Sequence, residues 1–178
     1  IFIGTHNSYH RRVEQPVFDL LQAFDAALAA SLDYHHPALT YQLREQRVRQ
    51  LELDVFRDPT GGRYSQRHIY QALSRPLDAG LPALDEPGLK VFHVQEVDFD
   101  SQCVRFVTCL RNIRRWSNAH PRHLPVAILI EPKDDVIPDP VSLGFVQPLP
   151  WDASNIGERS EEHTSELQSL AYLVCRLL

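Results

Sequence analysis

The spacing of apolar positions changes repeatedly along the chain, and each change marks a different element. LELDVF at 51–56 alternates apolar and acidic residues with the period of two of a half-buried strand. PVAILI at 125–130 is apolar throughout and reads as a strand covered on both faces. IFIG at 1–4 and KVFHV at 90–94 are two shorter strand-like runs. Between them the period lengthens. PVFDLLQAFDAALAASL at 16–32, opening on Pro16 as a first-turn residue, predicts one helix. TYQLREQRVRQ at 40–50 predicts a short helical approach with Thr40 as its cap. Residues 101–119 predict a helix with Val104, Val107, Leu110 and Ile113 at core-facing spacing and Trp116 beyond them. From 57 to 89, Asp58-Pro59, Gly61-Gly62, Pro76, Pro82 and Pro87 interrupt any long element and predict an irregular excursion.

Strands alternating with helices predict an α/β fold around a parallel sheet. Chemistry-bearing residues at the C-terminal ends of those strands match a TIM (β/α)8-type barrel, and such a barrel takes about 250 residues. At 178 residues the expectation is a partial barrel, about its N-terminal half.

Composition narrows the function classes. A net charge of −5 and a pI near 6.0 exclude a nucleic-acid binder, which needs a concentrated basic surface. The one basic cluster, Arg111, Arg114 and Arg115, reads as a solvated helix face. No apolar run approaches the ~18 residues of a membrane span, and the start shows no signal-peptide pattern. The chain opens on Ile1 rather than Met, so sequence upstream is expected. Of the three cysteines, Cys103 and Cys109 form a local disulfide if Cys103 lies in a loop before the helix, and a buried free pair otherwise. Residues 159–169 read RSEEHTSELQS, the translation of a common short-read sequencing adapter. Residues 159–178, with His163 and Cys175, are therefore expected to be a non-native tail from adapter read-through, which leaves 1–158 as the domain.

Within that domain Glu52 and Asp54 are two apart on one strand and leave the same face, suiting one cation. Asn7 adds an amide oxygen after the first strand and Glu131 a carboxylate at the end of the fourth. An all-oxygen set favours Ca²⁺ or Mg²⁺ over zinc. His6 and His93 can move protons. The remaining histidines, His10 among them, show no partner pattern.

GTHNSYH, LELDVFRDPTGG, KVFHVQEVDFDSQC and PVAILIEPKDD together resemble the bacterial calcium-dependent phosphoinositide-specific phospholipases C of the phosphatidylinositol phosphodiesterase superfamily, over residues 1–135. The resemblance implies that His6 and His93 are the catalytic histidines. It implies that Asn7, Glu52, Asp54 and Glu131 ligate calcium, with Lys133 near the phosphate. The implied reaction is attack of the inositol 2-hydroxyl on the adjacent phosphorus, releasing diacylglycerol and a cyclic inositol phosphate. His93 would be the acid on the leaving oxygen, and His6 would steady the phosphorane. A phosphoinositide head group at a membrane surface, secretion, and a monomeric full-length protein follow from the same resemblance. Two alternatives stand beside it: a glycerophosphodiester phosphodiesterase, and a non-catalytic lipid- or protein-binding module on a TIM-barrel scaffold.

Overall fold

The computed structural model describes residues 3–155 and 157, and the backbone of 173–177. It is a mixed α/β fold whose elements run α1 (Gln15–Phe24), α2 (Ala26–Leu32), α3 (Leu39–Arg44), β1 (Gln50–Val55), α4 (Phe106–Ala119), β2 (Val126–Pro132) and β3 (Leu173–Leu177), with two short 3-10 turns at His68–Leu73 and Pro82–Leu84. Among the described residues the sheet has the order β1-β2-β3, with both pairings parallel.

The alternation in LELDVF assigns the two faces of this sheet. Leu51, Leu53 and Val55 share one buried cluster with Val126, Ile128 and Ile130 of β2 and with Phe106, Cys109, Leu110, Ile113 and Trp116 of α4. Burial of each such large side chain contributes about 1.5–3 kcal/mol, so this apolar layer, more than helix propensity, holds α4 against the sheet. Register places Glu52 opposite Leu129 and Asp54 opposite Glu131. The carboxylates therefore occupy the opposite face, away from α4.

Several elements depart from the sequence expectation, each for a local reason. The helix predicted at 16–32 is two helices, because Asp25 adopts an extended backbone and its side chain accepts from the Ala27 and Leu28 amides, both at 3.0 Å. An aspartate that can cap a new helix competes with the backbone for those donors. Thr40 is not a cap: α3 starts two residues earlier, after Ala38, and has no side-chain cap bond. That helix ends at Arg44, and beyond it the Val48 amide turns back to the Gln42 carbonyl. Of the strand expected at 1–4, the described part is one parallel bridge between Gly4 and Gln50.

KVFHV forms no strand. Lys90 is fully buried and its ammonium meets Asp58 at 3.0 Å and the carbonyls of Glu86 and Gly88. The following amides bond into loops instead of a sheet: Val91 N–H to the Val104 carbonyl, and His93 and Val94 N–H to the Asp98 carbonyl. Lys90→Ala leaves Asp58 as an uncompensated buried charge and is expected to cost about 3–5 kcal/mol. A urea midpoint within experimental error of the wild type would show that the pair is not structural.

Helix α4 begins at Phe106 rather than near 101, which leaves Cys103 in the preceding loop, bonded to Cys109. Its buried face is Phe106, Cys109, Leu110, Ile113, Trp116 and Ser117, whereas Val107 is half-buried and Val104 packs beside an aromatic cluster of Phe56, Tyr64, Phe92 and Phe99. Strand β2 is buried on one face only, since Ala127 and Leu129 are half-buried on the carboxylate side. The tail expected at 159–178 lies outside the described residues except for β3. The helix that the propensity of LAYLVCRLL permits is not what Leu173–Leu177 form: they pair in parallel with Val126–Ile130 of β2.

Candidate active site

Three loops meet above the acidic face of the sheet. The first is the turn after Gly4. Asn7 sits there with φ 46°, a left-handed position that asparagine tolerates better than most residues. The turn is held on β1 by Ser8, whose amide donates to the Glu52 carbonyl at 3.1 Å and whose Oγ accepts from the Glu52 amide at 2.9 Å. Glu52 Oε1 lies 3.3 Å from His6 Nε2 and accepts weakly from the Asn7 amide at 3.5 Å. The His6 side chain is 72% exposed, so it is open to a ligand arriving from solvent.

Glu52, Asp54 and Glu131 each present a carboxylate oxygen, all within 4.8 Å of one another. Lys133 lies against the same group, its Nζ 3.1 Å from Glu131 Oε1 and 3.8 Å from Asp54 Oδ2. Asp54 is almost fully buried and its Oδ1 has no hydrogen-bond partner. Burial, followed by the Glu131 charge, pushes its carboxyl up to about 7, against the opposing pull of Lys133 and His93. A buried orphan oxygen among crowded carboxylates is a deficit that a hard cation removes, so the donor set fits Ca²⁺. Asn7 is less committed to that set. Its Oδ1 accepts from the Tyr9 hydroxyl at 3.2 Å and its Nδ2 donates to the Tyr34 hydroxyl at 2.9 Å.

His93 stands in the third loop with its side chain 22% exposed. Its Nδ1 meets Asp98 Oδ2 at 2.7 Å, leaving Nε2 as the nitrogen available for chemistry. Asp98 also holds the fully buried His10, whose Nε2 lies 2.7 Å from Oδ1. His10 in turn stacks on Tyr34 with ring centroids 4.1 Å apart. One carboxylate thus serves two imidazoles, and Tyr34 links them to Asn7.

Asp98 and His10 were missed by sequence reasoning. Their contact spans 88 residues, and neither position has a local pattern that announces it. Asp98 does occupy a distinctive spot, closing a tight bridge with Val94 in the same loop as His93.

Burial raises the Asp98 carboxyl, but the bonds from His10 and His93 outweigh it and leave the group below its ordinary value of 3.8. A depressed folded value means that the stabilisation is fully present above that ordinary value and is lost as pH falls from it through the folded one. Asp98→Asn is therefore expected to flatten the acid limb of stability below about pH 4. Urea midpoints for both proteins across that range measure it, and parallel limbs would contradict it.

A family model described as phosphoinositide phospholipase C, Ca²⁺-dependent, matches residues 1–175. Similar solved structures include the calcium-dependent phosphoinositol-specific phospholipase C of a Gram-negative Pseudomonas species in apo crystal form 2 and in its myoinositol complex. Each has 16% identity and a TM-score of 0.45, and the match covers 94% of this chain and 40% of that one. The apo crystal form 1 gives 0.43 at the same identity. This chain thus spans about 40% of the length of the structures it matches. No curated protein matches. The family match extends over nearly the whole sequence, and by it the chain belongs to the Ca²⁺-dependent phosphoinositide phospholipase C family.

Proposed function

We propose that this chain carries the acid–base and cation-holding residues of a phospholipase C that cleaves phosphatidylinositol to diacylglycerol and a cyclic inositol phosphate. The observation that supports it most is the meeting of Glu52, Asp54 and Glu131 within 4.8 Å, beside a histidine whose ring is oriented by a buried aspartate. On this reading the three carboxylates, with Asn7, hold calcium, and the residues 1–158 form the N-terminal half of a (β/α)8 barrel. Parallel β1 and β2, with their acidic groups toward the C-terminal ends, support that architecture.

Bound calcium would lower the pKa of the inositol 2-hydroxyl and neutralise charge on the phosphoryl oxygens. The chain's own groups supply the rest. Glu52 accepts the hydroxyl proton, or passes it to His6, which lies 3.3 Å away. His6, exposed at the mouth, donates to a phosphoryl oxygen as negative charge gathers there. His93, with Nδ1 occupied by Asp98, presents Nε2 to the glycerol oxygen and protonates it as the P–O bond breaks. Lys133 balances the carboxylates and lies within reach of the phosphate.

The Cys103–Cys109 disulfide supports an oxidising compartment and so a secreted enzyme. Among the described residues no helix is long and apolar enough to cross a membrane. Residues 159–178 stand, in this proposal, outside the catalytic domain, and reading the coding region beyond residue 158 checks that assignment.

The function is tested by supplying the full-length protein with calcium and phosphatidylinositol vesicles. A cyclic inositol phosphate and diacylglycerol are expected. Release of glycerol 3-phosphate from a deacylated lipid would make it a glycerophosphodiester phosphodiesterase, and vesicle binding without turnover would make it a binding module.

A further inference from the structure

A second concave site lies below the N-terminal ends of β1 and β2, away from the carboxylates. It is a cleft of about 490 Å³ bordered by Arg47, Arg49, Arg122, His120 and His123, with Trp116 of α4 among its walls. Arg44 also borders it but is paired with Glu45 at 2.6 Å. Arg47 and Arg122 are exposed and meet no acceptor among the described residues. Arg49 is anchored by its Nη1 on the Leu43 and Val48 carbonyls at 2.9 and 2.7 Å, and stands over the Trp116 ring at 5.2 Å. Its Nε and the Trp116 Nε1 are buried donors without partners.

Two ordinary explanations for such a cluster fail. Basic groups often serve the C-terminal carbonyls of a helix, but α4 has no basic residue in its last turn. The carbonyls there are already used: Ser117 accepts from the His120 amide at 3.0 Å and Trp116 from the His120 ring at 2.7 Å. Nor is His123 a spare cation, since its ring nitrogens meet Ser117 Oγ at 2.6 Å and the Leu124 carbonyl at 2.5 Å. It braces the wall. What remains is a surplus of donors and positive charge in a protein of net charge −5. Burial, followed by the Arg47 charge, holds Arg49 below its usual value.

We propose that this cleft is an anion site for a phosphate monoester, separate from the catalytic mouth. Arg47 and Arg122 each offer a planar fork that pairs with phosphate oxygens two at a time. Two such forks carry two positive charges, which a phosphate dianion balances and a single carboxylate does not. Arg49, held over the buried Trp116 ring, gives the cleft a rigid base against which the organic part of the ligand packs. The site requires nothing of the proposed lipase chemistry.

Inorganic phosphate titrated into the full chain at constant ionic strength, followed by calorimetry and tryptophan fluorescence, tests this. A single saturable isotherm is expected. The double substitution Arg47→Gln, Arg122→Gln should weaken it at least about tenfold, as the loss of charge-assisted pairs implies. Arg115→Gln, an exposed change of the same kind on α4 outside the cleft, should change it less than about twofold. Thermal melts of all variants should coincide, because the altered side chains are exposed. No saturation, or saturation that survives the double substitution, or equal weakening by Arg115→Gln, overturns the proposal. The second of these outcomes would move the phosphate to the catalytic mouth.

Discussion

Removing calcium from the full-length enzyme with a chelator is expected to abolish turnover on phosphatidylinositol, and restoring it to recover the rate. The reason lies in charge. Asp54 is buried with an orphan oxygen and is crowded by Glu131 and Glu52, so an anionic phosphate cannot approach until a cation compensates the carboxylates. Lys133 is close to two of them, but its single charge offsets only part of that of three carboxylates. The same hypothesis is measurable on this chain without any reaction, by calorimetric titration with Ca²⁺. Losing a residue that merely orients a ligand already weakens metal sites by about 10–100-fold, so Asp54→Asn should weaken binding by more than roughly 100-fold. Equal calcium affinity in the variant would remove Asp54 from the ligand set.

His93→Ala should slow turnover of the natural lipid by about 10²–10⁴-fold, the usual range for a positioned general acid. A substrate with a much more acidic leaving alcohol should regain part of that loss, because its oxygen departs without a proton. Asp98→Asn should be milder, since it alters how the His93 ring is held rather than removing it. If His93→Ala costs both substrates equally, His93 is not the acid.

The site was legible in the sequence wherever a strand carried it. The two-residue spacing of Glu52 and Asp54 already placed both on one face, and PVAILIE put Glu131 at a strand end, whereas its register with Asp54 comes from the structure. His93 was legible as a residue but not in its setting. KVFHV has strand composition, yet the buried Lys90–Asp58 pair and the loop bonds to Val104 and Asp98 claim its backbone. Long-range pairing of this kind has no local periodicity. The same holds for His10, whose partner arrives from across the chain, and for the break at Asp25, where one capping side chain overrides an otherwise continuous apolar stripe. The loop position of Cys103 decided the disulfide, and only the true start of α4 settles that position.

The two-sided character of β1 has a consequence for how this segment tolerates change. Leu51, Leu53 and Val55 answer to the helix layer, while Glu52 and Asp54 answer to the mouth. Neighbouring codons are therefore screened by different pressures, one for folding yield and one for chemistry. Replacing a leucine is expected to deplete soluble protein, whereas neutralising an acid is expected to relieve crowded charge and, on the proposed function, to leave a firmer but idle molecule. Across these five positions robustness and the proposed activity are expected to trade off with a period of two, so a lineage that abandoned catalysis would lose its acids first and keep its leucines.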